Sequence, residues 1–151
     1  IFAFNNIWLC LIINFFKKMI NQKIIKIASN TKNSGLTNNF THKSSIKNSL
    51  CGDKIKVEII VNKNKINSMR YEAESCILCE ASASLVAKKI INYSLKDLKK
   101  DIKILKDKIK NKKNNYPLKF KEYKHLITKG NFNRANCVIL PLEALIKAFK
   151  I

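Results

Sequence analysis

Glycine and proline are scarce in this chain, three and two residues of 151. No internal repeat and no long linker interrupt it, so an array or a tethered multidomain layout is excluded. Acidic residues are few, ten against 30 Lys+Arg, which leaves a formal charge of +20. Such a charge can steer acidic partners or give weak nucleic-acid binding. The base is almost all lysine, however, and aromatics do not interleave with arginine. There is no zinc-finger spacing and no RNP-like motif, so a dedicated nucleic-acid role is not indicated. The five cysteines, Cys10, Cys51, Cys76, Cys79 and Cys137, are odd in number and widely spread. That is unlike a secreted disulfide framework and fits a reducing compartment such as the cytoplasm.

About half the residues are apolar, and the length suits one domain with a modest core. The opening run "IFAFNNIWLCLIINFF" is apolar but shorter than a normal bilayer span. It lacks a basic stretch before it and a clear cleavage site after it. Residues 1–18 are therefore expected to be an upstream extension, with the domain occupying 19–151. A signal sequence or membrane anchor is the alternative; no membrane is expected for the mature domain.

Alternation in "KIKVEIIVN" places Ile55, Val57, Ile59 and Val61 on one face of a strand. "NKN" is a tight turn, since Asn tolerates left-handed backbone. "KINSMRYEAE" returns antiparallel with Met69 and Tyr71 together. A hairpin alone is not stable, so a third strand and covering helices are required. A polar edge strand is expected around Asn39 to Lys43. Gln22 to Ala28 reads as a short helix closed near Gly35. A helix begins at Glu80, with small residues Ala81 to Ser84 allowing close approach. Leu95, Leu98, Ile102, Leu105 and Ile109 recur at helical spacing and mark an amphipathic helix with a lysine-rich outer face. Another short helix is expected over Phe120 to Ile127. The last is expected to open at Pro141, a residue suited to a first helical position.

Four cysteines then fall near element ends. Cys51 precedes the first strand of the hairpin and Cys76 follows the second, so both lie at one end of the sheet. Asp53 follows Cys51 across Gly52, and "CGD" can offer a thiolate and a carboxylate from one turn. Zinc accepts such a mixed set, and iron–sulfur clusters are held first by thiolates. A cysteine at a helix start gains thiolate character from the positive end of the helix dipole. The plain alternative is that scattered cysteines are small core residues. The pair Cys76 and Cys79 in "CILC" lacks a second such pair, so it is a weak zinc signal. No βαβ pattern surrounds it, so it is not an obvious redox motif.

Taken together, "SLCGDKIKVEIIV", "YEAESCILCEASASLVAKKI" and "NRANCVILPLEAL" resemble the iron–sulfur cluster assembly scaffold family, the IscU, NifU N-terminal and SufU-like group, over nearly all the chain from Met19. The resemblance implies an α+β fold: a small three-stranded antiparallel sheet with helices packed on it and a metal site at one end. It implies that Cys51, Cys76 and Cys137, with Asp53, bind iron, a nascent two-iron two-sulfur (2Fe-2S) cluster, or zinc. It implies a cysteine desulfurase as sulfur donor and apo-proteins or carriers as recipients. Cys137 would be the persulfide carrier if the protein relays sulfur. The chain departs from the family pattern in places. Asn136 stands where a histidine usually precedes the third cysteine, and neither His42 nor His125 replaces it. Ser75 stands where glycine is usual, and Cys79 where serine is common. Cys79 could serve as an auxiliary ligand, a resolving thiol or plain packing. The long lysine-rich spacer before Cys137 is similar to the SufU-like branch. The implied function is scaffolding of cluster assembly. Zinc-dependent sulfur transfer and a non-catalytic metal-binding interaction domain are the alternatives.

Overall fold

Alternation and turn chemistry set the sheet. In the computed structural model, residues 5–19 and 21–150 are described. β2 (Lys54–Asn62) buries Ile55, Val57 and Ile59, and β3 (Lys65–Glu74) returns with Ile66, Met69 and Tyr71 buried. The turn between them uses Lys63 and Asn64, both left-handed at φ 47 and 61, the backbone that a two-residue hairpin turn demands. A register shift at Ile60/Val61 marks a bulge. The antiparallel pairing of Lys54 with Glu74 brings the start of β2 beside the end of β3.

The third strand, β1 (His42–Lys47), pairs antiparallel with β2 and completes the order β1-β2-β3. It lies a few residues later than the expected Asn39 to Lys43. Its inward face carries only His42, Ser44 and Ile46, so its limits come from pairing with β2 and not from an apolar pattern. On the outer edge of β3, Gly35 (φ +87) donates its N–H to the Tyr71 carbonyl at 2.8 Å, and Tyr71 donates to Asn33 at 3.1 Å.

Two helices cover the sheet. α3 (Ile77–Lys89) is buried on nearly every side, from Leu78 to Ala87. Its small residues bring neighbours close: the Ser82 hydroxyl donates to the Val138 carbonyl at 2.6 Å and the Ser84 hydroxyl to Asn30 at 2.9 Å. It starts at Ile77, three residues before Glu80, because Cys76 takes the cap position with extended backbone (φ −72, ψ 163). α5 (Ala135–Phe149) lies over β1 and β2 and against α3. It opens six residues before Pro141, so Cys137 sits inside the helix and does not precede it. A proline there lacks the N–H that would bond the Cys137 carbonyl four residues back, a cost of about 3 kcal/mol. Burial of Val138, Ile139, Leu140, Leu142 and Leu145 on both sides of the proline offsets that loss.

The remaining helices fasten to this core. α2 (Gln22–Ala28) has the expected limits, is capped by the Asn21 side chain and packs on α3. α4 (Leu95–Lys110), capped by Ser94, buries Leu98, Ile102, Leu105 and Ile109 and packs on α5. The short helix expected over Phe120 to Ile127 is a 3₁₀ helix over Leu118–His125; Phe120 and Tyr123, three apart, both turn inward with their rings edge to face at 6.1 Å. α1 (Asn5–Met19) exposes Ile7, Trp8, Leu9 and Leu11. Among the described residues no helix is long and apolar enough to cross a membrane.

One buried charge ties the loop before β1 to the sheet. The Glu58 carboxylate accepts the Thr37 N–H at 2.9 Å and the Asn38 N–H at 3.1 Å. Glu58→Ala orphans both donors and is expected to lower unfolding free energy by about 2–3 kcal/mol, read by urea denaturation. An unchanged midpoint would remove Glu58 from the fold's essential contacts.

Candidate metal centre

The site grows from the β1–β2 turn. Asn48 organises it: its side chain accepts the Leu50 N–H at 2.9 Å, its carbonyl accepts the Gly52 N–H at 2.9 Å, and its own N–H bonds the Asp53 carbonyl at 2.7 Å. Gly52 adopts φ +77, with no atom within 4 Å of where a Cβ would stand. Space is therefore not its constraint; backbone handedness is. Gly52→Ala is expected to cost about 1–2 kcal/mol and to weaken metal binding by disturbing its two neighbours, read by thermal unfolding and metal titration. A variant equal to the parent in both would show that the turn tolerates the residue.

This turn points Cys51 outward and Asp53 inward. Cys51 is exposed, whereas Asp53 is 7% exposed. One Asp53 oxygen accepts the Cys76 N–H at 3.1 Å, which fixes the first residue of the α3 cap. The other is buried and has no partner. An orphaned carboxylate oxygen is costly, and a cation would satisfy it.

α5 supplies the third group. Cys137 reaches within 3.9 Å of the Cys51 sulfur. The donor atoms of Cys51, Asp53 and Cys137 all lie within 4.8 Å of one another. Two thiolates on a tetrahedral zinc, at about 2.3 Å each, stand roughly 3.8 Å apart, so the sulfur spacing already fits a metal. Cys76 lies outside that tightest group, yet acts on Cys137. Burial pushes the Cys137 thiol well above the ordinary cysteine range, and contact with Cys76, its charge and then that of Cys51 push it further. The donor set, three thiols and a carboxylate with one oxygen unpartnered, suits zinc or iron.

Cys79 stands apart. It is fully buried on the third residue of α3. Burial pushes its thiol up to about 12, against a hydrogen bond from Ser75 and with added charge from Asp53 and Cys76. A thiol held neutral is a poor ligand, since metals take the thiolate. The two histidines are elsewhere: His42 packs on the Phe149 ring at 4.9 Å, at the far end of β1. His125 lines a cavity of 330 Å³ with Lys23, Lys26, Lys88 and Glu122, between α2, α3 and the 3₁₀ segment. The second task of Asp53, holding the Cys76 backbone, was not read from sequence. The only signal for it was a lone acid next to a strand whose partner ends at Glu74.

Known proteins share this arrangement of elements. The family model for the NifU-like N-terminal domain matches residues 19–131; Cys137 lies beyond that match. The iron–sulfur cluster assembly scaffold protein IscU of Thermotoga maritima is 29% identical over 83 residues, 55% of this chain and 58% of that protein. The match thus spans little more than half the length of that relative. The N-terminal part of a NifU-like protein from Brucella abortus superimposes with TM-score 0.77 at 17% identity, covering 89% of this chain and 94% of that one. A putative scaffold for the SUF system from Fervidobacterium islandicum AW-1 gives 0.71 at 19% identity, covering 87% and 97%. These structural likenesses show the α+β fold, a three-stranded antiparallel sheet with helices on it.

Proposed function

Because this chain belongs to the family of NifU-like N-terminal domains, we propose that it is a scaffold on which iron–sulfur clusters are assembled and from which they pass to apo-proteins. The observation that carries this reading is the convergence of Cys51, Asp53 and Cys137 within 4.8 Å, beside Cys76 and with one Asp53 oxygen unsatisfied. Iron is the substrate here, held by Cys51, Asp53, Cys76 and Cys137 while sulfide is built onto it; the product would be a 2Fe-2S cluster. A transferable cargo should be held loosely. A carboxylate among thiolates meets that requirement better than four cysteines would.

The partners on this reading are a cysteine desulfurase and apo-clients or carriers, with the cytoplasm as the compartment. Five free thiols support a reducing location. The charge of +20 would steer the chain onto an acidic desulfurase face. Their association is expected to weaken about tenfold or more between low and high salt, measured by titration calorimetry; a flat dependence would reduce the lysines to composition.

A second reading is favoured by one observation, the sulfur spacing that fits tetrahedral zinc. Zinc would then arrange the thiolates while Cys137 takes up a persulfide sulfur and relays it. One experiment separates the two. The full chain is mixed anaerobically with ferrous iron, cysteine and a cysteine desulfurase. Visible charge-transfer absorption that moves to an apo-client is the expected result. Tight zinc, no chromophore and faster desulfurase turnover would overturn the scaffold in favour of the relay.

A further inference from the structure

Cys79 is not used by the metal centre, although it lies three residues from Cys76, which is. Cys76 occupies the cap of α3 and Cys79 the third helical residue, so both side chains leave the same turn. Residues three apart on a helix hold their Cβ atoms about 5–6 Å apart, and a disulfide needs roughly 3.5–4.5 Å. The cap residue can close the difference by rotation of its side chain, because its backbone is extended (φ −72, ψ 163) while its carbonyl accepts the Glu80 N–H at 3.1 Å and its own N–H is held by Asp53. The two thiols also differ in access. Cys76 is partly exposed and touches Cys137 at the metal centre, whereas Cys79 is fully buried. A sulfur-bearing reagent can therefore reach Cys76 but not Cys79.

We propose that Cys79 is a resolving thiol that releases sulfide from a persulfide formed on Cys76. Sulfane sulfur arrives from a persulfide or polysulfide donor and leaves Cys76 as Cys76–S–SH. The Cys79 sulfur attacks the inner sulfur, the bond between the two persulfide sulfurs breaks, and the Cys79 proton leaves on the departing group. The products are a Cys76–Cys79 disulfide and H₂S. Atoms and electrons balance: the sulfane sulfur gains two electrons, and the two thiol sulfurs lose one each. An external dithiol reductant restores both thiols. The reaction is a thiol–disulfide exchange, and the burial that holds the Cys79 thiol neutral makes its attack the slow step. It supplies the one component that a thiol cluster and iron lack, sulfide at the point of use. This role rests on the scaffold reading for its purpose but not for its chemistry.

The test uses the full-length reduced protein, treated anaerobically with inorganic polysulfide and no iron or desulfurase. Released sulfide is measured, and the tryptic peptide Tyr71–Lys88, which holds both cysteines, is weighed. The expected parent result is about one sulfide per chain and a peptide lighter by two hydrogens. With Cys79→Ser, or Cys79→Ala if serine unsettles the core, the peptide keeps an extra sulfur atom on Cys76 and sulfide release falls about tenfold or more. A parent peptide that retains the extra sulfur, or a disulfide from Cys76 to Cys51 or Cys137, would overturn the proposal without any variant. Iron loading without polysulfide, measured separately, reports on the scaffold reading alone.

Discussion

Asp53→Ala is expected to keep its cluster longer than the parent protein and to deliver it to an apo-client about tenfold more slowly, a barrier increase of about 1.4 kcal/mol. The reason lies in the chemistry of the donors. Cluster iron prefers thiolate, so the carboxylate is the mismatched ligand and the first to yield to an incoming client thiol. Without it, that opening is lost. The substitution has a structural cost as well, since the Cys76 N–H loses its acceptor at 3.1 Å. Removing a buried oxygen that has no partner offsets part of it. Asp53→Asn separates the two roles. It keeps an acceptor for Cys76 yet presents a weaker ligand, so slow transfer should persist with a normal melting temperature. Transfer is followed by loss of visible absorption in one protein and its gain in the other. If Asp53→Ala instead sheds its cluster faster than the parent, Asp53 is an anchor and not the labile ligand.

Metal affinity is expected to climb roughly a hundredfold or more per pH unit through neutrality, because each protonated thiol must lose its proton to bind. Cys137 sharpens this. Burial and its two cysteine neighbours hold its thiol above the ordinary range, so metal binding must displace that proton even at pH values above about 8.5, where a free cysteine would be ionised already. The slope should therefore persist into mild alkali. Apo-protein stability moves the opposite way. A thiol whose folded pKa lies above its unfolded value leaves the folded state unaffected below the unfolded pKa. It destabilises the fold as pH rises past that value towards the folded one. Cys79, pushed up to about 12 by burial, adds to the same trend. Melting temperature without metal should fall with alkali, and metal-loaded protein should resist. Competition titrations with a chelator at several pH values, and thermal scans, check both. Affinity flat across pH would mean that the thiols are not the ligands.

Much of the fold was legible because strong periodicities carried it. Leu98, Ile102, Leu105 and Ile109 mark one helical stripe, and Ile55, Val57 and Ile59 one strand face; all are buried. β1 was harder, since its inner positions include a single apolar residue, Ile46, and its register comes from β2. The last helix misled for a different reason. Proline usually opens a helix, but here apolar residues on both sides of Pro141 outweigh one missing hydrogen bond. At the site, Cys51 and Cys76 could be brought together from strand pairing alone. Cys137 could not, because the chain reaches it only after α4 and the 3₁₀ turns Leu118–His125 and Phe132–Arg134, and nothing in its own neighbourhood states where α5 lies. Its placement rested on family resemblance.

Pro141 also bears on how the centre accommodates what it binds. The carbonyl of Cys137 has no amide hydrogen four residues on, so the end of α5 that bears this sulfur is softer than the rest of the rod. Its neighbour Val138 is pinned instead from outside, by the Ser82 hydroxyl at 2.6 Å. A sulfur on a compliant turn can shift by a fraction of an ångström as its bond passes from proton to metal and back. The sheet and α3 feel little of that displacement. Loading and unloading would then be absorbed locally, as by a hinge, and the fold as a whole would not have to breathe.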